Sequence, residues 1–130
     1  MHDFVKRLPK HIQVDWIYVK HGSGEPETSK QQEAEAILRA IPANNQIILL
    51  DETGVQLTSP QLASKLFDQP RNTTFIIGGA YGVTGEIKTK SHFVWSLGSL
   101  VFPHQLVRVI LAEQLYRAYS ISIGHPYHHA

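Results

Sequence analysis

The chain has no cysteine among its 130 residues. That excludes disulfides, thiolate zinc sites and thiol nucleophiles. It also has no apolar run near the roughly 20 residues a membrane-spanning helix needs. Its opening, Met1-His2-Asp3-Phe4-Val5-Lys6, lacks the apolar stretch of a secretory signal. A cytoplasmic protein is therefore expected. Charge is sparse too: 18% of residues are charged and the formal net charge is +1. The rest is ordinary globular composition, 42% hydrophobic, at a length that fits one domain with a real core.

The small net charge hides an asymmetry. Residues 1–86 carry 8 Lys/Arg against 10 Asp/Glu, whereas residues 87–130 carry 4 against 1. His92, His104, His125, His128 and His129 lie in that last part. A basic end hints at an anionic partner such as nucleic acid, although a solvated basic face has the same composition.

Residues 12–19 alternate apolar and polar side chains and are rich in β-branched and aromatic types, which predicts a strand. His21-Gly22-Ser23-Gly24-Glu25-Pro26 reads as a loop. Ser29 and Gln32 fit a capping box that opens a helix; Ala34, Ile37, Leu38 and Ile41 form its stripe, and Pro42 ends it. Gln46-Ile47-Ile48-Leu49-Leu50-Asp51 holds a continuous apolar run bounded by polar residues, the pattern of a parallel strand covered on both faces. Ser59-Pro60 reads as an N-cap and N1 pair, with Leu62, Ala63, Leu66 and Phe67 on one helical face. A strand over 73–77, a short helix over 84–90 and a short strand over 93–97 follow. The last helix, from Pro103 to about Tyr119, is apolar round most of its circumference. It either crosses the core or packs on the sheet with one face and on a second subunit with another. The alternation predicts an α/β fold, a mainly parallel sheet flanked by helices in one domain.

Three segments are candidates for chemistry. Gly78-Gly79-Ala80-Tyr81-Gly82-Val83-Thr84-Gly85 follows a buried strand, where parallel sheets bind ligands. It matches neither dinucleotide loop nor P-loop, and a tight strand-to-helix turn accounts for it equally well. Trp95-Ser96-Leu97-Gly98-Ser99-Leu100-Val101-Phe102-Pro103-His104 joins a strand to the last helix and contains few charges. Its backbone can hold a flat, neutral ligand such as adenine, or it is simply buried. The tail, His125-Pro126-Tyr127-His128-His129-Ala130, fits no metal signature and offers rings for an unpaired base, or it frays. Arg108 interrupts an apolar helix and needs either an ion-pair partner or an anionic ligand. Glu113 and Arg117, four apart, read as an ordinary helix pair. Neither a Ser-His-Asp order nor a close carboxylate pair stands out, so hydrolase readings are weak.

At these same segments the chain resembles the RlmH family of SPOUT-class methyltransferases. The carrying pieces are Ile48-Leu49-Leu50-Asp51, Phe75-Ile76-Ile77-Gly78-Gly79-Ala80-Tyr81-Gly82 and Phe102-Pro103-His104-Gln105-Leu106-Val107-Arg108-Val109. Glu113-Gln114-Leu115-Tyr116-Arg117-Ala118-Tyr119 and Pro126-Tyr127-His128 complete them. The resemblance implies an α/β-knot with a C-terminal trefoil knot, and a homodimer. It implies S-adenosylmethionine as cofactor, at Leu50, Gly78, Leu97, Gly98, Ser99, Leu100, Val101 and Phe102. The implied reaction methylates N3 of a pseudouridine in large-subunit (23S) ribosomal RNA, so the ribosome is the partner, with neither membrane nor metal. N3 carries a proton that must leave, so a base or a stabiliser of the anion is expected. Tyr127 and His128 carry over as catalytic candidates reaching the site across the dimer, and Arg108 and His129 as RNA-facing ones. Many members have a permanently basic residue where His129 stands.

Family members begin with a short strand and then a helix. This chain begins inside that helix, at about Asp3-Phe4-Val5-Lys6-Arg7-Leu8. A sheet without that strand is expected to leave an apolar groove or to close up. Two other functions stay open: a catalytically inactive RNA- or ribosome-binding protein that keeps the fold, and a SPOUT methyltransferase with a different RNA target.

Overall fold

A computed structural model describes residues 2–19, 22, 24–69, 71–78 and 82–129. The elements are α1 (His2–Lys6), α2 (Pro26–Ala40), β1 (Gln46–Gln56), α3 (Ser59–Phe67), β2 (Thr73–Ile77), α4 (Gly85–Lys90), β3 (Phe93–Ser96) and α5 (His104–Ser122). The chain divides into two units. Residues 16–56 and 72–101 make one; residues 1–15, 57–71 and 102–130 make the other. Among the described residues no helix is long and apolar enough to cross a membrane.

The first unit is a parallel sheet of order β2-β1-β3. Its central strand is the one whose apolar run is continuous. Leu49 lies opposite Ile76 and Val94, and these face one way with Ile47. They pack with Ala34, Ile37, Leu38 and Ile41 from α2 and its end, and with Val83 and Ile87 from the α4 side. The other face carries Ile48, Leu50, Phe75, Ile77, Phe93 and Trp95. There Phe75 and Trp95 meet with ring centroids 6.3 Å apart. β1 is hydrogen-bonded to both neighbours, so no gap separates these three strands. At its amino end, Ile47 N–H donates to His92 Nδ1 at 2.9 Å, and His92 N–H donates to the Ile47 carbonyl at 2.8 Å. His92 is thereby a structural group.

β1 bulges before it ends. Leu50 and Val55 are both registered on Trp95, so Asp51, Glu52, Thr53 and Gly54 are extra residues. Asp51 Oδ2 accepts from the Thr53 N–H and hydroxyl within the bulge. Gly54 is there for want of space: a Cβ on it would lie 2.5 Å from the Val94 carbonyl oxygen and 2.8 Å from Trp95 N.

The second unit is helical. α5 packs against α3 and α1. Leu62, Ala63, Leu66, Leu111, Ala112 and Ala118 are buried. Phe67 meets Tyr119 edge-on at 6.1 Å, Phe4 meets Tyr116 at 6.4 Å, and the Ser59 hydroxyl donates to Gln114 Oε1 at 2.9 Å. The near-complete apolar circumference of α5 is only partly covered. Leu106 and Val109, three apart on one face, remain 44% and 39% exposed.

Several sequence expectations need correction. Residues 12–19 form no strand. The chain there belongs to no ladder, although Ile12, Val14 and Trp16 are more buried than Gln13, Asp15 and Ile17. Alternation reports which side chains turn inward, but a strand also needs a neighbouring backbone to pair with. Ile17 and Tyr18 are 65% and 61% exposed. Ser29 does not open α2. The helix starts a turn earlier at Pro26, whose preset φ and missing N–H suit its first turn, and Ser29 is buried inside it. The Ser29 hydroxyl and the Gly22 N–H both donate to Glu33 Oε2, each at 3.1 Å. The cap of α3 is Thr58, not Ser59: Thr58 and Gln61 form a reciprocal capping box. α2 ends at Ala40 because Ile41, preceding Pro42, is extended. Gly79, Ala80 and Tyr81 of the glycine run, and His21 and Ser23 of the earlier loop, lie outside the described residues.

Gly54→Ala is expected to lower unfolding stability by about 1–3 kcal/mol, because the clash is with rigid strand backbone. Gly85→Ala, with open space in the first turn of α4, is expected to be neutral or stabilising by up to about 1 kcal/mol. Urea unfolding midpoints of the two variants check the contrast.

Candidate functional site

Two clusters emerge, one in each unit. The first is the carboxyl edge of the sheet. Leu50 is registered on Ile77 in β2 and on Trp95 in β3. The residues after those partners, Gly78 and Ser96-Leu97-Gly98, therefore leave the same edge. This is where parallel strands present free backbone to a ligand.

The turn after β3 is held by a side chain that the sequence reading did not single out. The buried Ser96 hydroxyl donates to the Gly98 carbonyl at 3.0 Å and accepts from Gly98 N–H at 3.1 Å. Gly98 sits at φ +151° with nothing within 4 Å of where a Cβ would stand. A serine two residues before a glycine was the available signal. Beyond the turn, Leu100 and Val101 are 72% and 85% exposed. The segment is thus an apolar ledge, not a buried connection. Leu97 is half-buried, Ser99 is exposed, and Phe102, half-buried, belongs to the helical unit.

A Cβ on Gly78 would lie 2.8 Å from Val83 Cγ1. The close approach it permits is that of the returning chain.

The second cluster is the tail folded back on α5. Ile123 closes the helix, Gly124 takes φ +73°, Gly124 N–H donates to the Ile121 carbonyl, and His125 N–H donates to the Ser120 carbonyl at 2.8 Å. That is a Schellman turn, and it reverses the chain. Tyr127 then meets Tyr116 edge-on at 4.8 Å, with the Arg117 guanidinium 4.9 Å over its ring. His128 Nδ1 lies 3.0 Å from Arg117 Nη1. The tail is docked, and Tyr127 and His128 share one anchor. Tyr116 is gripped from its other neighbours by Phe4 and by Arg7, 5.9 Å over its ring.

Arg117 is the residue sequence reasoning undervalued. Its pairing with Glu113 is real, at 2.6 Å and 2.7 Å to Oε1. That hydrogen bond holds the guanidinium pKa above its ordinary value, against the opposing effect of burial, with help from Tyr127. The expected i,i+4 pair is therefore also the base on which the tail is built. Arg108 is half-buried on α5 and engaged by neighbours, and His129 is exposed. Among the described residues no three His, Asp or Glu side chains converge as metal ligands do.

These features fit a comparison with known proteins. Residues 1–128 match the family model described as "Predicted SPOUT methyltransferase". The chain belongs to the SPOUT methyltransferase family. Curated relatives carry the name "Ribosomal RNA large subunit methyltransferase H". The one from Polynucleobacter asymbioticus is 40% identical over 130 residues, covering 98% of this chain and 85% of that protein. Those from Ralstonia nicotianae and Geotalea daltonii are 41% and 36% identical, each covering at least 97% of this chain and 85% of its own length. The family read from the glycine, apolar-loop and tail segments is the one these matches give. As a SPOUT methyltransferase the protein has its α/β architecture accounted for, with a three-stranded parallel sheet and flanking helices.

In this SPOUT methyltransferase Gly124→Ala is expected to destabilise by about 1 kcal/mol, since φ +73° strains any side chain. It should also loosen the tail, read as faster amide exchange at Tyr127 and His128 than in the parent protein. Ser96→Ala is expected to cost about 1–3 kcal/mol by leaving a half-buried Gly98 N–H unpaired, measured by urea unfolding.

Proposed function

We propose that this protein transfers a methyl group from S-adenosylmethionine to N3 of a pseudouridine in large-subunit ribosomal RNA. It acts in the cytoplasm as a homodimer, with residues 1–130 working as one methyltransferase domain. The observation that carries the reading is the family match across residues 1–128, with relatives named for methylating large-subunit RNA.

The sheet edge suits the cofactor. Adenine is flat and mostly apolar, and the exposed Leu100 and Val101 with the open backbone at Gly98 offer such a ring an apolar ledge and hydrogen-bonding groups. Leu50, Gly78 and Leu97 would hold it from the strand ends, with Ser99 and Phe102 completing the loop. When bound, the cofactor supplies a methyl group activated by its sulfonium. Leu97, Leu100 and Val101 would exclude water around that centre. Tyr127 and His128 would meet the RNA base with a hydroxyl and an imidazole, where the ring of Tyr127 can also stack. Arg108 and His129 would contact phosphate. Leu106 and Val109 offer an apolar strip for the second subunit.

The cofactor site is tested by calorimetric binding of S-adenosylmethionine. The parent protein is expected to bind, and Leu100→Asp to bind about tenfold or more weakly, because it puts a charge on the apolar ledge. Its unfolding stability should stay within about 0.5 kcal/mol, as expected at an exposed position. Unchanged affinity in Leu100→Asp would remove Leu100 from the site, and a parent protein that binds no cofactor would contradict the enzyme reading.

A further inference from the structure

A guanidinium has donors and no acceptor. Arg117 Nη1, 3.0 Å from His128 Nδ1, can therefore meet that nitrogen only at its lone pair. A neutral imidazole so held carries its one proton on Nε2. The donor is not free to turn away. Arg117 Nε and Nη2 are both spent on Glu113 Oε1, the guanidinium lies over the Tyr127 ring, and the residue stands in the regular part of α5. Glu113 is steadied in turn by Gln114 Nε2, which donates to Glu113 Oε2 at 3.2 Å.

We propose that Arg117 is a positioning residue that fixes His128 as its Nε2–H tautomer, so that His128 meets the RNA base as a hydrogen-bond donor and not as the base that removes its proton. The inference rests on the reading that the Tyr127-His128 segment serves the methyl acceptor. It bears on the expected need for a base or for a stabiliser of the anion. With the Nδ1 lone pair turned to Arg117 and Nε2 carrying the ring's own hydrogen, the imidazole presents no open lone pair to the RNA base. What the ring offers is an N–H. A uracil-type ring losing its N3 proton spreads the resulting charge over the two flanking carbonyl oxygens, and a fixed N–H aimed at either one strengthens as that charge grows. The proton leaves to water, the N3 lone pair takes the methyl group, and the carbon–sulfur bond breaks with its electrons remaining on sulfur.

The test is the long-range proton–nitrogen spectrum of the full chain labelled with 15N-histidine, recorded above the titration range of ordinary histidine. His128 is assigned by the signal missing in His128→Gln. In the parent protein His128 is expected to give the Nε2–H pattern; an Nδ1–H pattern or an even mixture overturns the proposal. Arg117→Met, which keeps length and loses the donors, is expected to relax His128 to the mixed pattern of a free imidazole; an unchanged pattern in that variant also overturns it. If Arg117→Met does not fold, the parent spectrum still decides. On ribosomes, Arg117→Met should lower kcat by roughly 10²-fold, the scale of one lost transition-state donor, with KM for S-adenosylmethionine within about twofold. A parent protein that methylates no RNA defeats the functional reading, whereas the tautomer stands or falls by the spectrum alone.

Discussion

The arrangement at the proposed cofactor edge depends on β1 being paired along both of its sides. A strand in that position must satisfy its backbone groups through its two neighbours, and both neighbours here run parallel to it. Parallel pairing brings three carboxyl ends to one edge. Leu50, Gly78 and the Ser96–Gly98 turn are neighbours for that reason alone. The apolar face made by Ile47, Leu49, Ile76 and Val94 against α2 and α4 fixes the register, because a one-residue slip would turn each of these side chains outward. The bulge at residues 51–54 then ends the regular pairing just past Leu50, with Gly54 letting the chain lie against β3.

The helical unit uses a different device for a similar purpose. A tail of a few residues has little apolar surface with which to offset its loss of freedom. Here the Schellman turn at Gly124 sets its direction, Tyr116 supplies a ring to pack on, and one arginine supplies both a cation for Tyr127 and a donor for His128. The Glu113 contact keeps that arginine in place from the adjacent turn of α5. Order in the tail thus comes from α5 itself.

Much of this was legible in the residues. The unbroken apolar run of β1 announced a central parallel strand, and residues 73–77 announced β2 with the observed bounds. The short helix over 84–90 was expected within a residue of its observed bounds, although its pattern was poor and the Thr84 cap that opens it went unread. The failures share a cause: local pattern cannot tell which partner a segment will find. Residues 12–19 have strand chemistry and no strand beside them. Ser29 and Ser59 are good caps in themselves, yet Pro26 and Thr58 lie where the chain actually turns into helix. The contact that forbids a side chain at Gly78, Val83 of the returning chain, is likewise one that spacing does not show. Arg117 looked like half of an ordinary helix pair because its other partners lie ten and eleven residues away, beyond a turn that spacing does not reveal. The proposed cofactor positions came from the family resemblance, which picked single residues out of segments that the pattern alone offered only as candidates.

The most direct measurement of the central claim is transfer of labelled methyl from S-adenosylmethionine to ribosomes that carry the acceptor pseudouridine, against ribosomes that have uridine there. The account predicts label at N3 of that nucleotide in large-subunit RNA from the first set and none in the second. Equal labelling of both would mean another RNA target, and no labelling of either by a folded, cofactor-binding protein would mean a fold kept for binding alone.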